Sequence, residues 1–139
     1  MIPRVLIGSS AAILLYLGSI HLAYTLLTHN FSPTGGQLET SMKQVAPRIS
    51  GETTVWKAWV GFNLSHSMGL LLFGLIYGYM VVYRWEVLHT SYFLAGTGLL
   101  MLAAYVVAAR IFWFTAPLIG ISAATLLYVV GFVYAFARR

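Results

Sequence analysis

The chain has 139 residues, of which 60% are hydrophobic and 8% are charged, and its mean hydropathy is +0.83. Soluble domains carry about 25% charged residues, so this composition excludes a water-soluble globular protein and predicts an integral membrane protein. The net charge of +5 results from eight scattered basic residues and three acidic ones, and this scatter excludes a clustered nucleic-acid-binding face. The lack of cysteine excludes thiol catalysis, disulfides and thiolate metal sites. We predict one integral membrane domain over residues 1–139, with room for about four spans.

The first apolar run, Val5 to Leu27, is longer than the apolar core of a signal peptide. We therefore predict a retained first span over about residues 5–28. The following stretch, residues 29–54, is the most polar part of the chain and opens with turn-forming residues. Within it Leu38, Met42 and Val45 recur at i, i+4 and i+7, which predicts a short amphipathic helix in the plane of the membrane interface.

Three further apolar runs complete the predicted topology. The second span is expected over about residues 54–83, the third over about 91–110 and the fourth over about 115–136. We predict a tight loop over residues 84–90 and a short aromatic connection between the third and fourth spans. The sequence thus predicts an all-α membrane protein, with four transmembrane helices in an antiparallel bundle and a short amphipathic helix in the first loop.

The orientation of the spans depends on the distribution of basic residues. Four spans place both termini on one side of the membrane. The basic residues divide equally between the two sides, with Arg4, Arg84, Arg138 and Arg139 on the side of the termini and Lys43, Arg48, Lys57 and Arg110 on the other. The terminal arginines stop the fourth span, and the compact second loop favours termini in the cytoplasm.

The second span carries an unusual set of polar residues inside an apolar run. At about 100° per residue, one stripe of this helix contains Trp56, Trp59, Asn63 and His66, with Ser67 beside it. A matching stripe of the first span contains His21 and Thr25. The two histidines lie at depths of about 10 and 13 Å from the same surface. They could therefore share a polar pocket in the outer half of the membrane, covered by the first loop and bordered by Arg110.

Several uses of such a pocket are compatible with the sequence. A metal ion could bind the imidazoles of His21 and His66, although two histidines without a carboxylate form an incomplete shell. Haem could take both as axial ligands if the two helices were held apart. A quinone or lipid headgroup could bind with His66 as a titrating or hydrogen-bonding group. The polar side chains could also only cross-bond the two helices, which contributes about 0.6 kcal/mol per bond, and sequence alone favours this structural role.

Two short motifs carry a resemblance. The runs GSIHLAYT at residues 18–25 and WVGFNLSHSMG at residues 59–69, with a polar first loop between them, resemble a group of small, uncharacterised four-span bacterial membrane proteins with a GFNxSHS motif in the second span. The resemblance covers nearly the whole chain and implies this topology and a bacterial inner membrane, without implying an activity. A looser similarity to DoxX-like four-helix membrane proteins rests on architecture alone.

The sequence leaves two classes of function open. The first is non-catalytic: a small subunit or packing partner of a larger membrane assembly, or a protein that binds a hydrophobic or amphiphilic ligand such as a lipid or quinone. The second is a membrane oxidoreductase or proton-coupled enzyme that uses His21 and His66, either with haem or a metal ion as cofactor or without one. Besides the bilayer, the expected partners are another membrane protein or a second copy of the chain. The predicted ligand-binding residues are His21, Thr25, Trp56, Trp59, Asn63, His66, Ser67 and Arg110.

Overall fold

The computed structural model describes residues 1–138, and within this range it contains helices and no strand. The helices in chain order are α1 Ile2–Leu27, α2 Gly36–Gln44, α3 Val55–Tyr83, α4 Trp85–Thr90, α5 Tyr92–Phe112 and α6 Thr115–Ala137. The predicted all-α fold, with four long apolar helices and a short helix in the first loop, is confirmed. Arg138 occupies the C-cap of α6, whereas Arg139, predicted to end the span with it, lies outside the described residues.

The four long helices have the length and the surface that a bilayer requires. Helices α1, α3, α5 and α6 contain 26, 29, 21 and 23 residues and are apolar enough to cross a membrane. About 20 apolar residues suffice for the hydrocarbon core. Large apolar side chains on these helices point outward, and Phe93, Leu100 and Val133 are 77%, 72% and 60% exposed. Such a surface is unfavourable in water and suits contact with lipid.

The chain divides into two compact units. Unit 1 comprises residues 1–17 and the chain from Leu70 onward, and unit 2 comprises residues 18–69. In unit 1, the start of α1, the end of α3, and helices α4, α5 and α6 surround one apolar core. Side chains that are almost completely buried in this core include Ile7, Leu14, Leu88, Leu102 and Tyr128. Close packing of these buried side chains provides dispersion contacts in the interior of unit 1.

Two tyrosine hydroxyls fasten α5 within unit 1. The Tyr77 hydroxyl donates to the carbonyl of Leu94 at 2.7 Å, and the Tyr128 hydroxyl lies 3.0 Å from the carbonyl of Ala95. Gly98 makes room for both rings, because a Cβ atom at this position would overlap the two hydroxyl groups. The buried phenols are thereby hydrogen-bonded, as buried tyrosines usually are, and they tie α3 and α6 to α5.

The segment between α3 and α5 differs from the sequence-based expectation. Residues 84–90 were expected to form a tight loop, but Trp85–Thr90 form a helix of six residues. Leu88 on this helix is completely buried, and α4 contacts both α5 and α6. A helix of six residues shows little hydrophobic periodicity in its sequence. The burial of Leu88 against the core therefore decides that this segment is helical.

Unit 2 contains the first loop and its short helix. None of the nine residues of α2 is buried, and Leu38 and Val45, from the predicted apolar stripe, are 57% and 54% exposed. Lys43 pairs with Glu39 one turn earlier at 2.6 Å. The backbone N–H of Val55 donates to the carbonyl of Val45 at 2.9 Å, which closes the connection between α2 and α3. No side chain of α2 is therefore buried, and its predicted position in the membrane interface stays a prediction.

Candidate functional site

A hydrogen-bonded pair, His21 and Asn63, lies at the centre of unit 2. The Nε2 atom of His21 is 3.1 Å from Oδ1 of Asn63, and Nδ2 of Asn63 donates to the carbonyl of Trp59 at 2.8 Å. A carbonyl oxygen only accepts, so the amide nitrogen must face Trp59 and the amide oxygen must face His21. His21 therefore donates through Nε2–H, and the bond to Trp59 fixes this tautomer.

The structure brings the second histidine to the same place. The ring centroids of His21 and His66 are 5.0 Å apart, with an angle of 67° between the ring planes, and both residues are half-buried. Phe31 lies against His21 with centroids 4.5 Å apart, and Phe62 is nearly parallel to the ring of His66 at 6.4 Å. The two imidazoles thus contact each other edge to face within an aromatic environment.

Two hydroxyls near the histidines are bonded to their own helices. Ser67 is completely buried and donates to the carbonyl of Asn63 at 2.9 Å, and Thr25 donates to the carbonyl of His21 at 2.8 Å. Both bonds reach back four residues along the helix, a common way to satisfy hydroxyls in apolar surroundings. Ser67 is therefore stable in the interior without a ligand.

A cavity of about 300 Å³ opens beside the histidine pair. Its volume is at the lower end of the range for small-molecule sites. Its wall combines aromatic rings with hydroxyl, amide and imidazole groups, from Tyr24, Thr25, Leu26, Thr28, His29, Phe31, Ser32, Trp56, Trp59, Val60 and Asn63. Of the residues predicted from the sequence, Thr25, Trp56, Trp59 and Asn63 line this cavity, whereas His21, His66 and Ser67 lie outside its wall.

The first loop, predicted to cover the pocket, contributes to the cavity wall residues such as Phe31 that were not predicted individually. The indole N–H of Trp59 donates to the carbonyl of Phe31 at 3.1 Å, and the ring of Tyr24 meets that of Phe31 with centroids 6.1 Å apart. Tyr24 could have been found from its spacing, because it lies one helical turn after His21. Phe31 follows the end of α1 and has no periodic signal. These contacts hold the loop over the end of the cavity.

Of the basic residues Lys43 and Arg110, the first contacts the cavity wall, whereas the second belongs to the other unit. Lys43 of α2 lies over the ring of Trp56, with Nζ 5.2 Å from the ring centroid. This distance is typical of a cation–π contact and brings α2 to the tryptophan end of the cavity wall. Arg110 belongs to unit 1, in the last turn of α5, where it is exposed. Its predicted position at the mouth of the pocket stays a prediction.

The geometry of the two histidines bears on the metal and haem hypotheses. Histidines that bind one haem iron lie on opposite faces of the macrocycle, whereas the rings of His21 and His66 touch each other. Among residues 1–138, no group of three or more His, Cys, Asp or Glu side chains is arranged to hold a metal ion. Protein zinc sites use three or four such ligands. The arrangement therefore fits neither a bis-histidine haem nor a metal ion held by protein ligands alone.

The fold and this site define a helical protein with four helices that could span a membrane and a polar, aromatic cavity in unit 2. No protein-family model, curated protein or solved structure matches the chain. The side chains of the cavity are consequently the basis for assigning a function.

Proposed function

We propose that this protein is an integral membrane protein that binds the polar head of an amphiphilic small molecule in the cavity of unit 2. The observation that carries this proposal is the composition of the cavity wall. Four aromatic residues, Tyr24, Phe31, Trp56 and Trp59, line a space of about 300 Å³ together with residues that carry hydroxyl and imidazole groups. Ligand sites commonly combine an apolar wall with a few polar groups that orient the ligand.

The hydrogen bonds of the wall indicate the chemistry of the head. The hydroxyls of Thr25 and Thr28 and the indole N–H of Trp59 already donate to the protein backbone. Further donors on the wall are the hydroxyls of Tyr24 and Ser32, together with the indole N–H of Trp56. A head rich in acceptor oxygens, such as the carbonyls of a quinone or the oxygens of a lipid headgroup, would match them, and a flat ring would also stack on the aromatic side chains.

The proposed location follows from the same features and from the resemblance. Four helices long enough to span a bilayer are compatible with an integral membrane protein. The resemblance to four-span bacterial proteins supports the bacterial inner membrane, and the terminal arginines and compact second loop support cytoplasmic termini. With this orientation the cavity would open toward the periplasmic side.

A quenching titration tests the proposal. In protein that carries Trp85→Phe and Trp113→Phe, fluorescence would report only on Trp56 and Trp59. Titration with a short-chain benzoquinone in nanodiscs should give saturable quenching. Thr28→Phe, which adds bulk at the cavity wall, should weaken binding by about tenfold or more. Thr97→Phe is the matched control, because Thr97 is an exposed threonine of α5 outside unit 2.

Quenching that rises linearly in the wild type, or saturation that is unchanged in Thr28→Phe, would contradict a quinone site. Mass spectrometry of small molecules that co-purify with the protein then separates a lipid headgroup from a quinone, since a phospholipid retained by the wild type and lost in Thr28→Phe identifies the lipid. A stable membrane protein that co-purifies, with no small molecule, would favour the role of a subunit in a larger assembly.

A further inference from the structure

A second cavity lies in unit 1, where α3 ends and α4 begins. It has a volume of about 320 Å³ and is lined by Arg4, Val82, Tyr83, Arg84, Trp85, Glu86 and Val87. It shares no residue with the cavity of unit 2. Its lining residues include two arginines and one glutamate, so their formal charge is positive.

Arg4 is held in position by the end of α3. Its Nε donates to the carbonyl of Val81 at 2.7 Å, and its Nη2 donates to the carbonyl of Val82 at 2.6 Å. The last carbonyls of a helix lack intrahelical partners and carry partial negative charge, which favours a cation at this position. These bonds use one N–H of Nε and one of Nη2, and the guanidinium carries five N–H groups in total. The two bonds therefore fix the orientation of the Arg4 guanidinium before any ligand binds, and neither of them uses the Nη1 group.

Arg84 is the second cation of this cavity. It directly follows the last residue of α3 and is exposed. The carboxylate of Glu86 is 88% exposed and lies 3.7 Å from the Nε2 atom of His89, so solvent screens much of its charge. Guanidinium groups bind phosphate oxygens through paired hydrogen bonds, more specifically than an ammonium group does. A phosphate offers two such groups more acceptor oxygens than a carboxylate does, so both arginines of this cavity could bind one phosphate.

The position of this cavity along α3 matches the depth of lipid phosphates. A helix of 29 residues is about 43 Å long, whereas the hydrocarbon core is about 30 Å thick. The ends of α3 must therefore reach the headgroup region unless the helix is strongly tilted. Tyr83, which is 70% exposed, and the half-buried Trp85 are residue types that concentrate at this level.

We propose that this cavity binds the phosphate of an anionic phospholipid headgroup, with Arg4 and Arg84 as the binding residues. Basic pockets at the ends of transmembrane helices are suited to such headgroups. The Tyr83 and Trp85 rings contact the upper part of the lipid, and its acyl chains lie along the exposed apolar face of α3. Inorganic phosphate offers the same chemistry without the chains, so the experiment separates the two sources.

The test compares lipids by native mass spectrometry of the full chain in a neutral detergent. Phosphatidylglycerol should bind in preference to phosphatidylcholine. Arg84→Gln should weaken phosphatidylglycerol binding by about fivefold, as expected for the loss of one cation near the headgroup. Arg48→Gln, a matched change at an exposed arginine of unit 2, should leave binding unchanged. Arg84→Glu, which reverses the charge, should abolish the preference for the anionic lipid.

Several results would overturn the proposal. Equal binding of the two lipids would exclude a phosphate site that discriminates by charge. An equal loss in Arg48→Gln and Arg84→Gln would indicate general electrostatic attraction. If inorganic phosphate bound alone with the same dependence on Arg84 and displaced the lipid, the ligand would be free phosphate. Arg4→Gln could unfold the end of α3, so the two Arg84 variants carry the test.

Discussion

The hydrogen bond between His21 and Asn63 should appear as an energetic coupling between the two residues. His21→Phe keeps a ring in contact with Phe31 and removes both nitrogens, and Asn63→Leu keeps most of the side-chain volume and removes the amide. Each single change leaves the other partner unsatisfied, whereas the double change removes both. A double-mutant cycle therefore isolates the pair from the packing changes of each substitution.

The expected magnitude follows from the geometry and the surroundings. The Nε2–Oδ1 distance is 3.1 Å, Asn63 is 6% exposed and His21 is half-buried. Neutral hydrogen bonds contribute about 0.5–1.5 kcal/mol, and interhelical bonds in membranes average about 0.6 and reach about 1.7 kcal/mol. We expect a coupling of about 1 kcal/mol, which is about fivefold in the unfolding equilibrium constant.

The assay is reversible unfolding in mixed micelles, with denaturing detergent as the titrant. The control is Ser65→Ala combined with His21→Phe, because the exposed Ser65 hydroxyl donates to the carbonyl of Phe62 in its own helix. That pair should be additive within about 0.3–0.5 kcal/mol. A coupling between His21 and Asn63 that is no larger than the control would refute the hydrogen bond as a stabilising contact.

Three further predictions concern packing and the first loop. Gly98→Ala should lower the free energy of unfolding by about 1–3 kcal/mol, because the added methyl group overpacks the core. Tyr128→Phe removes one of the overlapping hydroxyls, so the double variant should recover part of this loss in the same assay. Arg4→Gln should destabilise the protein by about 1–2 kcal/mol, because it removes the charged hydrogen bonds to the end of α3. Arg4→Lys should have an intermediate stability, and equal stability of the wild type and both variants would contradict this role of Arg4. Trp59→Phe removes the donor to the Phe31 carbonyl, so amide hydrogen exchange should accelerate in the first loop, and unchanged protection would show that the bond does not hold the loop.

The apolar runs were sufficient to predict the long helices. The largest difference at a boundary is three residues, where α1 begins at Ile2 instead of residue 5. This agreement reflects the strength of the constraint, since a bilayer needs about 20 consecutive apolar residues and every backbone group in it must be bonded. Helix α4 was missed because its six residues contain only one buried side chain, Leu88.

The candidate site was only partly predictable, because some of its contacts do not follow from helical spacing. Helical spacing and depth were enough to bring His21 and His66 to one level, because both lie on regular helices. The bond from Asn63 to Trp59, which orients the amide, depends on a side-chain rotamer that spacing does not specify. Phe31 lies in an irregular loop, where position is decided by contacts such as the one its carbonyl makes with Trp59.

The division into two units has a consequence for biosynthesis. Unit 2 is a single continuous stretch of 18–69, whereas unit 1 joins residues 1–17 to the chain from Leu70 onward. Chains emerge from the ribosome in order, and contacts between distant positions form late because long loops must close first. We therefore expect the first loop and its flanking helix segments to assemble while α5 and α6 are still being translated. The partly synthesised chain would then already contain the aromatic cavity, before the core around Tyr128 exists.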